Sequence, residues 1–292
     1  MFPARSRGAG RATQAAGTSI RVAALAGLTA TTASLARRLR TAIDTRPTGR
    51  VPGAAAACDP AAVRAQSRQD LALPWRLAHR LLARFAVAPF RQRPGFRPLT
   101  VLVVDHGPGG LVAAIAGVTP GDTTIVAMDA TPGMGALASL QVARLERHDE
   151  GARIGWACGD TGRLPVPDGT FDLVVAAGAL HGWGDPEKAL AEIRRALAPG
   201  GRVVILDLRR DLPSWAWVAM KSLQRLLGHQ ALRAIDEPSA SVRAAYREPE
   251  LQWFAARAKF PPFRISARLA WILLDAGPSE VDGGRPGREG QL

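Results

Sequence analysis

Asp105 is the residue from which a chemical reading of this chain starts. It follows an apolar run rich in valine, Leu99 to Val104, and precedes a glycine turn, Gly107-Pro108-Gly109-Gly110. Glycines let the backbone bend sharply there and let a ligand approach it closely. A carboxylate beside such a loop repels a pyrophosphate and attracts a ligand that carries an ammonium and a sulfonium. S-adenosylmethionine (SAM) carries both charges. The glycine spacing points the same way: a dinucleotide loop, G-x-G-x-x-G, needs glycine at 112, where the chain has Val112.

Asp129 ends a second apolar run, Thr123 to Met128, 24 residues beyond Asp105. That is close to the roughly 20 residues that separate such a loop from a ribose-binding acid at the end of the second strand. A carboxylate there accepts hydrogen bonds from two vicinal hydroxyls, with Ala130 beside it in the same loop. His181 follows a further apolar run, Phe171 to Ala176. An imidazole titrates near neutrality, so His181 is the candidate general base. Local packing or hydrogen bonding is the other reading of it, and the sequence names no partner that would orient it.

These residues require strands that end along one edge. Leu99 to Val104, the glycine turn and Leu111 to Val118 read as strand, tight loop and helix, the first half of a nucleotide-binding βαβ unit. Strand and helix then alternate. Thr131-Pro132 caps a helix from Met134 to Arg147, and Arg153 to Ala157 is a third strand. Asp168-Gly169 turns into the fourth strand. Asp185 is an N-cap with Pro186 at the first helical position. Ala198-Pro199-Gly200-Gly201 ends that helix, and Arg202 to Leu206 is a fifth strand finishing at Asp207. Leu212 to Leu227 reads as a helical insertion above the carboxyl edge of the sheet. Pro249 to Ala258 is a helix, and Pro261 to Asp275 is short for two closing antiparallel strands.

Three blocks between Val101 and Asp207 resemble the class I SAM-dependent methyltransferases, in particular the type 11, ubiquinone-menaquinone-methyltransferase-like small-molecule family. The first is D-x-G-x-G at Asp105, Gly107 and Gly109, with Leu111 where the family has a third glycine. The second, Gly159-Asp160-Thr161 followed by LPVPDGTFDLVV, parallels G-D-A-x-x-L-P-F-P-D-x-S-F-D-x-V. The third is the run ALAEIRRALAPGGRVVILD. The resemblance implies a Rossmann-like, seven-stranded, mostly parallel sheet with helices on both faces. It also implies SAM across Asp105, His106, Gly107 and Gly109, with ribose on Asp129 and adenine near Asp160 and the Thr161 amide. The methyl group would face Gly178 and the segment after strand four. His106 is expected near the methionine part, Asp172 is expected to be structural, and Trp183 would wall the acceptor pocket or lie in the core.

Charge divides the chain. Residues 1–98 carry 17 Arg and 3 Asp, whereas the rest carries 21 Lys plus Arg against 22 Asp plus Glu. Residues 1–65 are expected to be a disordered basic leader, with a signal or transit segment and a nucleic-acid-binding arm as the other readings. Residues 66–98 hold an amphipathic helix and linker, 99–276 the SAM-dependent domain, and 277–292 a disordered tail. In the helix, Leu77, Leu81, Leu82 and Phe85 recur at helical spacing, with Arg76, Arg80 and Arg84 on another face. It is expected either to pack on the domain edge or to act as a lid or membrane-surface segment through residues 75–90. Cys58 and Cys158 form neither a disulfide framework nor a metal pattern, no metal is expected, and the chain reads as cytoplasmic. No apolar run is long enough to span a membrane.

The expected activity is methyl transfer from SAM to a small, lipophilic acceptor, with nucleic acid disfavoured as a partner. The alternatives are an RNA methyltransferase that uses the basic leader and a catalytically degenerate SAM-binding module, the latter prompted by Leu111 and His106.

Overall fold

The computed structural model describes residues 49–51, 67, 73–92, 97–145, 152–227 and 237–277. Of the expected leader only residues 49–51 fall among these, and of the expected tail only Gly277; the remainder of both lies outside the described residues. Helix α1 (Leu73–Arg91) precedes β1 (Thr100–Val104), α2 (Gly110–Ala116), β2 (Thr124–Asp129), α3 (Met134–Leu145) and β3 (Arg153–Cys158). Next come β4 (Phe171–Ala177), a 3-10 turn (Leu180–Gly182), α4 (Pro186–Ala196) and β5 (Leu197–Leu208). The chain then forms α5 (Ser214–Leu227), α6 (Ser239–Ala244), α7 (Glu248–Arg257), β6 (Phe263–Arg268) and β7 (Trp271–Ala276).

The seven strands form one sheet in the order β3-β2-β1-β4-β5-β7-β6. Strands β1 to β5 run parallel, and β7 is antiparallel to both β5 and β6. The chain works outward from β1 to β3, then returns to place β4 on the other side of β1. The carboxyl ends of β1 and β4 therefore form the switch point where such sheets bind ligands. This is the expected mostly parallel, seven-stranded sheet.

Successive side chains of a strand point to opposite faces, so a buried parallel sheet needs apolar cover on both. On one face Leu102, Val104, Val174, Ala176, Val203 and Ile205 pack with Leu190 and Ile193 of α4 and Leu251 and Ala255 of α7. On the other, Val101, Val103, Ile125, Ala127, Leu173 and Val175 pack with α1 and α2. Burying one such side chain contributes about 1.5–3 kcal/mol, which makes these two layers the main restraint on the strand ends.

Asp185 caps α4 as expected: its side chain accepts a hydrogen bond from Lys188 N, and Pro186 occupies the first turn. Asp172 is structural too, although it does not bond back into its own turn. Its carboxylate accepts from Thr100 N at 2.9 Å and from Arg97 at 2.7 Å, which ties the start of β1 to β4.

Three expectations are corrected. The closing strands are complete, because β6 and β7 are six residues each and are joined through Leu269 and Ala270 alone. Such a short connection leaves enough chain for both. Strand β5 begins earlier than Arg202, since Leu197 already pairs with Phe171 before the register shifts across Pro199-Gly200-Gly201. Finally, the buried face of α1 is Leu82, Ala83, Ala86, Val87 and Phe90, whereas Leu77, Leu81 and Phe85 are exposed. Small residues let α1 approach the layer beneath it closely, and the bulky i, i+4, i+8 set falls on the opposite side. Arg202 locks α1 in that orientation. Its guanidinium pairs with Asp275 at 2.8 Å through two nitrogens and donates to the Phe85 and Ala86 carbonyls.

Candidate active site

The carboxyl ends of five parallel strands deliver five loops to one edge, and hydrogen bonds between loops organise them. Asp105 leaves β1 at φ 49°, in the left-handed region, and so turns its carboxylate back toward neighbouring loops. It accepts from Trp183 Nε1 at 2.6 Å, after β4, and from Thr161 Oγ1 at 3.3–3.4 Å, after β3. Asp129, at the end of β2, accepts from Gly107 N at 3.0 Å and from Thr131 N at 2.8 Å. The acid expected to bind ribose therefore also holds the glycine loop. Asp160 closes a turn of its own by accepting from Gly162 N at 2.9 Å and stays exposed.

Burial is the main cause that pushes the Asp105 carboxyl up to about 6, and the charges of Asp129 and Asp160 add to it. The hydrogen bonds from Trp183 and Thr161 act in the opposite direction. Among the described residues, no Lys or Arg forms an ion pair with Asp105, Asp129 or Asp160. Three neighbouring carboxylates without a cation suit a positively charged ligand. Gly178, at φ 64°, and Ala130 are exposed at the same edge, and an added Cβ at Gly178 would meet nothing within 4 Å.

The glycine loop differs from its family pattern for a packing reason. Gly109 has φ 95°, and a Cβ there would lie 3.0 Å from Ala138 Cβ and 3.1 Å from Val142. That glycine is required by α3 whether or not a ligand is present. Leu111, in place of the third family glycine, is buried in the first turn of α2 and packs into the core layer under α1. His106 is likewise buried, with its ring edge-to-face against Trp156 at 5.0 Å and Nδ1 2.7 Å from the Gly107 carbonyl. Burial lowers its pKa, so its ring is neutral at pH 7. The His106 side chain supports the loop from the core.

The second half of the edge centres on His181. Its Nδ1 lies 2.9 Å from Asp207 Oδ1, while its backbone N donates to Asp207 Oδ2 at 2.7 Å. A carboxylate only accepts, so Nδ1 carries the proton and Nε2 keeps its lone pair. Burial alone would lower the pKa of His181, but the charge and hydrogen bond of Asp207 outweigh it and raise the value. Asp207 is the orienting partner that the sequence did not supply. A signal for it existed: β4 and β5 are parallel neighbours, so the loop after β4 must lie beside the end of β5, where Asp207 stands.

Residues 49–51 also reach this half. Arg50 donates to the Ala244 carbonyl at 2.8 Å and to the His181 carbonyl at 3.3 Å, and its guanidinium lies 4.3 Å from the Tyr246 ring centre. Tyr246 is buried, and its hydroxyl is 3.4 Å from the Trp183 carbonyl. Trp183 is thus a core residue that joins the His181 segment to Asp105. Neither Arg50 nor Tyr246 belongs to a motif that could have marked it. Among the described residues, no group of three or more His, Cys, Asp or Glu side chains is arranged to hold a metal ion.

Comparison with known proteins agrees with this geometry. A family model described as a methyltransferase domain matches residues 104–205. The ubiquinone/menaquinone biosynthesis C-methyltransferase UbiE of Cupriavidus pinatubonensis is 30% identical over 169 residues, which is 58% of this chain and 64% of that protein. The demethylmenaquinone methyltransferase of Thermus thermophilus is 36% identical over 110 residues, 38% of this chain and 47% of that protein. The chain thus spans between about half and just under two thirds of these two curated relatives. A Methanococcus maripaludis protein classed as an S-adenosyl-L-methionine-dependent methyltransferase shares the fold, with a TM-score of 0.55 at 21% identity over 76% of this chain and 95% of that one. Residues 104–205 thus resemble a methyltransferase domain, and the fold is that of the class I SAM-dependent methyltransferases, a class whose cofactor is SAM.

Proposed function

We propose that this protein transfers a methyl group from SAM to a small, lipophilic acceptor, and that the acceptor is a quinol-like ring methylated at carbon. The observation that carries the reading is the division of the site into an acid-lined half that has no cationic partner among the described residues and a half holding an oriented histidine. The names of the two curated relatives, one a ubiquinone/menaquinone biosynthesis C-methyltransferase and the other a demethylmenaquinone methyltransferase, support the acceptor class.

When bound, SAM supplies a methyl group on a positively charged sulfur that departs as a neutral thioether. Asp105 would neutralise the ligand's ammonium, Asp129 would accept from the ribose hydroxyls, and Asp160 with the Thr161 amide would meet the adenine. Gly107 and Gly109 would pass backbone alongside it, and Gly178 and Ala130 would border it. His106 would enter this site through its backbone alone. Contact between donor and acceptor supplies much of the acceleration in such a displacement.

His181 adds the proton chemistry. Its Nε2 would take the hydroxyl proton of the acceptor, which leaves an oxyanion that enriches the ring carbon. That carbon would accept the methyl group and would then lose its own hydrogen as a proton to solvent, while the ring oxygen regains its proton from His181, which restores the hydroxylated ring and the neutral imidazole. Asp207 would hold the imidazole and stabilise it once protonated.

Calorimetric titration of SAM into the full chain, followed by transfer of labelled methyl to a reduced, prenylated naphthoquinone, tests the reading. Micromolar SAM binding with labelled quinol product is the expected result. SAM binding without transfer to any hydroxylated ring would remove the acceptor assignment, and no SAM binding by the folded protein would remove the function.

A further inference from the structure

We propose that the outward face of α1, together with the tip of the β6–β7 hairpin, seats this protein on an anionic lipid surface. Three observations converge on that surface.

The first is the composition of the face. Leu77, Leu81 and Phe85 recur every fourth residue and are exposed, with Leu81 at 66%. On a helical wheel Arg80, Arg84 and Arg91 form the flank beside them, followed by Arg76. The helix contains no Asp or Glu. Among the described residues, Arg76, Arg80 and Arg84 have no acidic partner. An apolar ridge flanked by arginine complements a layer with anionic headgroups over hydrocarbon.

The second is direction. Trp75, in the first turn of α1, lies edge-on to Trp271 with ring centres 6.2 Å apart. Trp271 pairs with Leu208 at the carboxyl end of β5. Ten residues further along α1, the Phe85 carbonyl meets Arg202 in the middle of that strand, away from its carboxyl end. Helix α1 therefore starts at the same edge of the sheet as His181 and Asp207.

The third is what else stands at that edge. Leu269, at the hairpin tip, is 60% exposed, and Trp215, at the start of α5, is 64% exposed. Arg268 precedes Leu269 and is exposed as well. Large apolar side chains on the rim, with arginine between them, fit shallow insertion below the headgroups. An acceptor dissolved in the lipid would then meet the site without crossing water. Among the described residues no helix is long and apolar enough to cross a membrane.

Co-sedimentation of the full chain with phosphatidylcholine vesicles, with and without phosphatidylglycerol, tests the proposal without any turnover assay. Its failure would leave the methyl-transfer reading untouched. Binding should require phosphatidylglycerol and weaken as salt rises. The pair Arg80→Gln and Arg84→Gln should weaken it by roughly thirtyfold, as expected for two basic residues at an anionic surface. The pair Leu77→Glu and Leu81→Glu should weaken it by at least about tenfold through loss of the inserted ridge. Leu140→Glu, an equally exposed leucine on α3, should change nothing. Unchanged melting temperatures would show that every variant folds. The proposal is overturned by failure to bind phosphatidylglycerol vesicles, or by binding that the Leu77/Leu81 pair leaves intact. A dimer that the same pair dissociates would also overturn it, by showing that a second copy covers this face.

Discussion

The two halves of the site handle their carboxylates in opposite ways. Around the β1 loop, Asp105, Asp129 and Asp160 lie near one another and, among the described residues, receive hydrogen bonds only from neutral donors. Around the end of β5, Asp207 is fully buried but holds His181 through both its ring and its backbone. The first half is electrostatically incomplete, and a bound cation would complete it. The second half has its charge partner within the protein, so on the proposed function its chemistry would depend on a proton and not on a charged ligand. On that proposal a binding subsite and a reaction subsite are separated along a single sheet edge.

The sharpest break in this contrast is His181→Ala. Turnover should fall by roughly 100- to 10,000-fold, the usual range for a lost general base, while SAM affinity stays unchanged. Steady-state kinetics beside calorimetry would check both. If the two fell together, the halves would not be separable.

Leu111→Gly tests the loop in the opposite sense. Restoring the family glycine should lower unfolding stability by about 2–5 kcal/mol through the cavity it leaves, as for other buried leucines. SAM affinity of the folded variant should be preserved. Denaturant titration measures the first effect, and a gain in affinity would show that Leu111 hinders the ligand.

Asp129→Ala should weaken SAM by about 1–3 kcal/mol, the range for charge-assisted hydrogen bonds. The variant also frees the Gly107 and Thr131 amides, so its melting temperature must accompany the titration. An unchanged dissociation constant would remove the ribose assignment.

Two pH effects are smaller and run in different directions. The Asp105 carboxyl is raised to about 6, so SAM binding should strengthen as pH rises through that value and the ammonium meets a charged partner. Asp105→Asn should flatten this dependence. For His181, whose pKa is raised, the stability of its protonated pair with Asp207 is complete below about 6.5 and lost as pH rises through the folded value. Turnover needs the neutral ring and should rise over that same range. Asp207→Asn should shift the turnover limb to lower pH, because the charge that raises His181 is gone.

Much of the fold could be read along the chain. Apolar runs ending at Asp105, Asp129 and Asp207, separated by helices, report burial and hydrogen bonding that are local or periodic. The Asp185-Pro186 cap and the strand-loop-helix at Asp105 are local in this sense, and the structure has both. Periodicity failed in α1, where size misled: Leu77, Leu81 and Phe85 look like a core face, but the alanines on the other side permit the closer approach. The site was half legible for the same reason. Asp105, Asp129, Asp160 and Thr161 sit at strand ends that their own segments define. Arg50, 131 residues from the His181 carbonyl it meets, has no local mark at all.

By itself the sequence determined the alternation of strands and helices, the glycine turn, and the acids at the strand ends. Each follows from backbone propensity and burial pattern over a few neighbouring residues. Only the tertiary structure decided that His181 is held by Asp207, that Trp183 and Thr161 share Asp105, and that Leu111 and His106 belong to the core. Those outcomes depend on which strands lie side by side and which faces the helices cover. Such choices are made by the packing of the whole sheet, over distances that no short window of sequence spans.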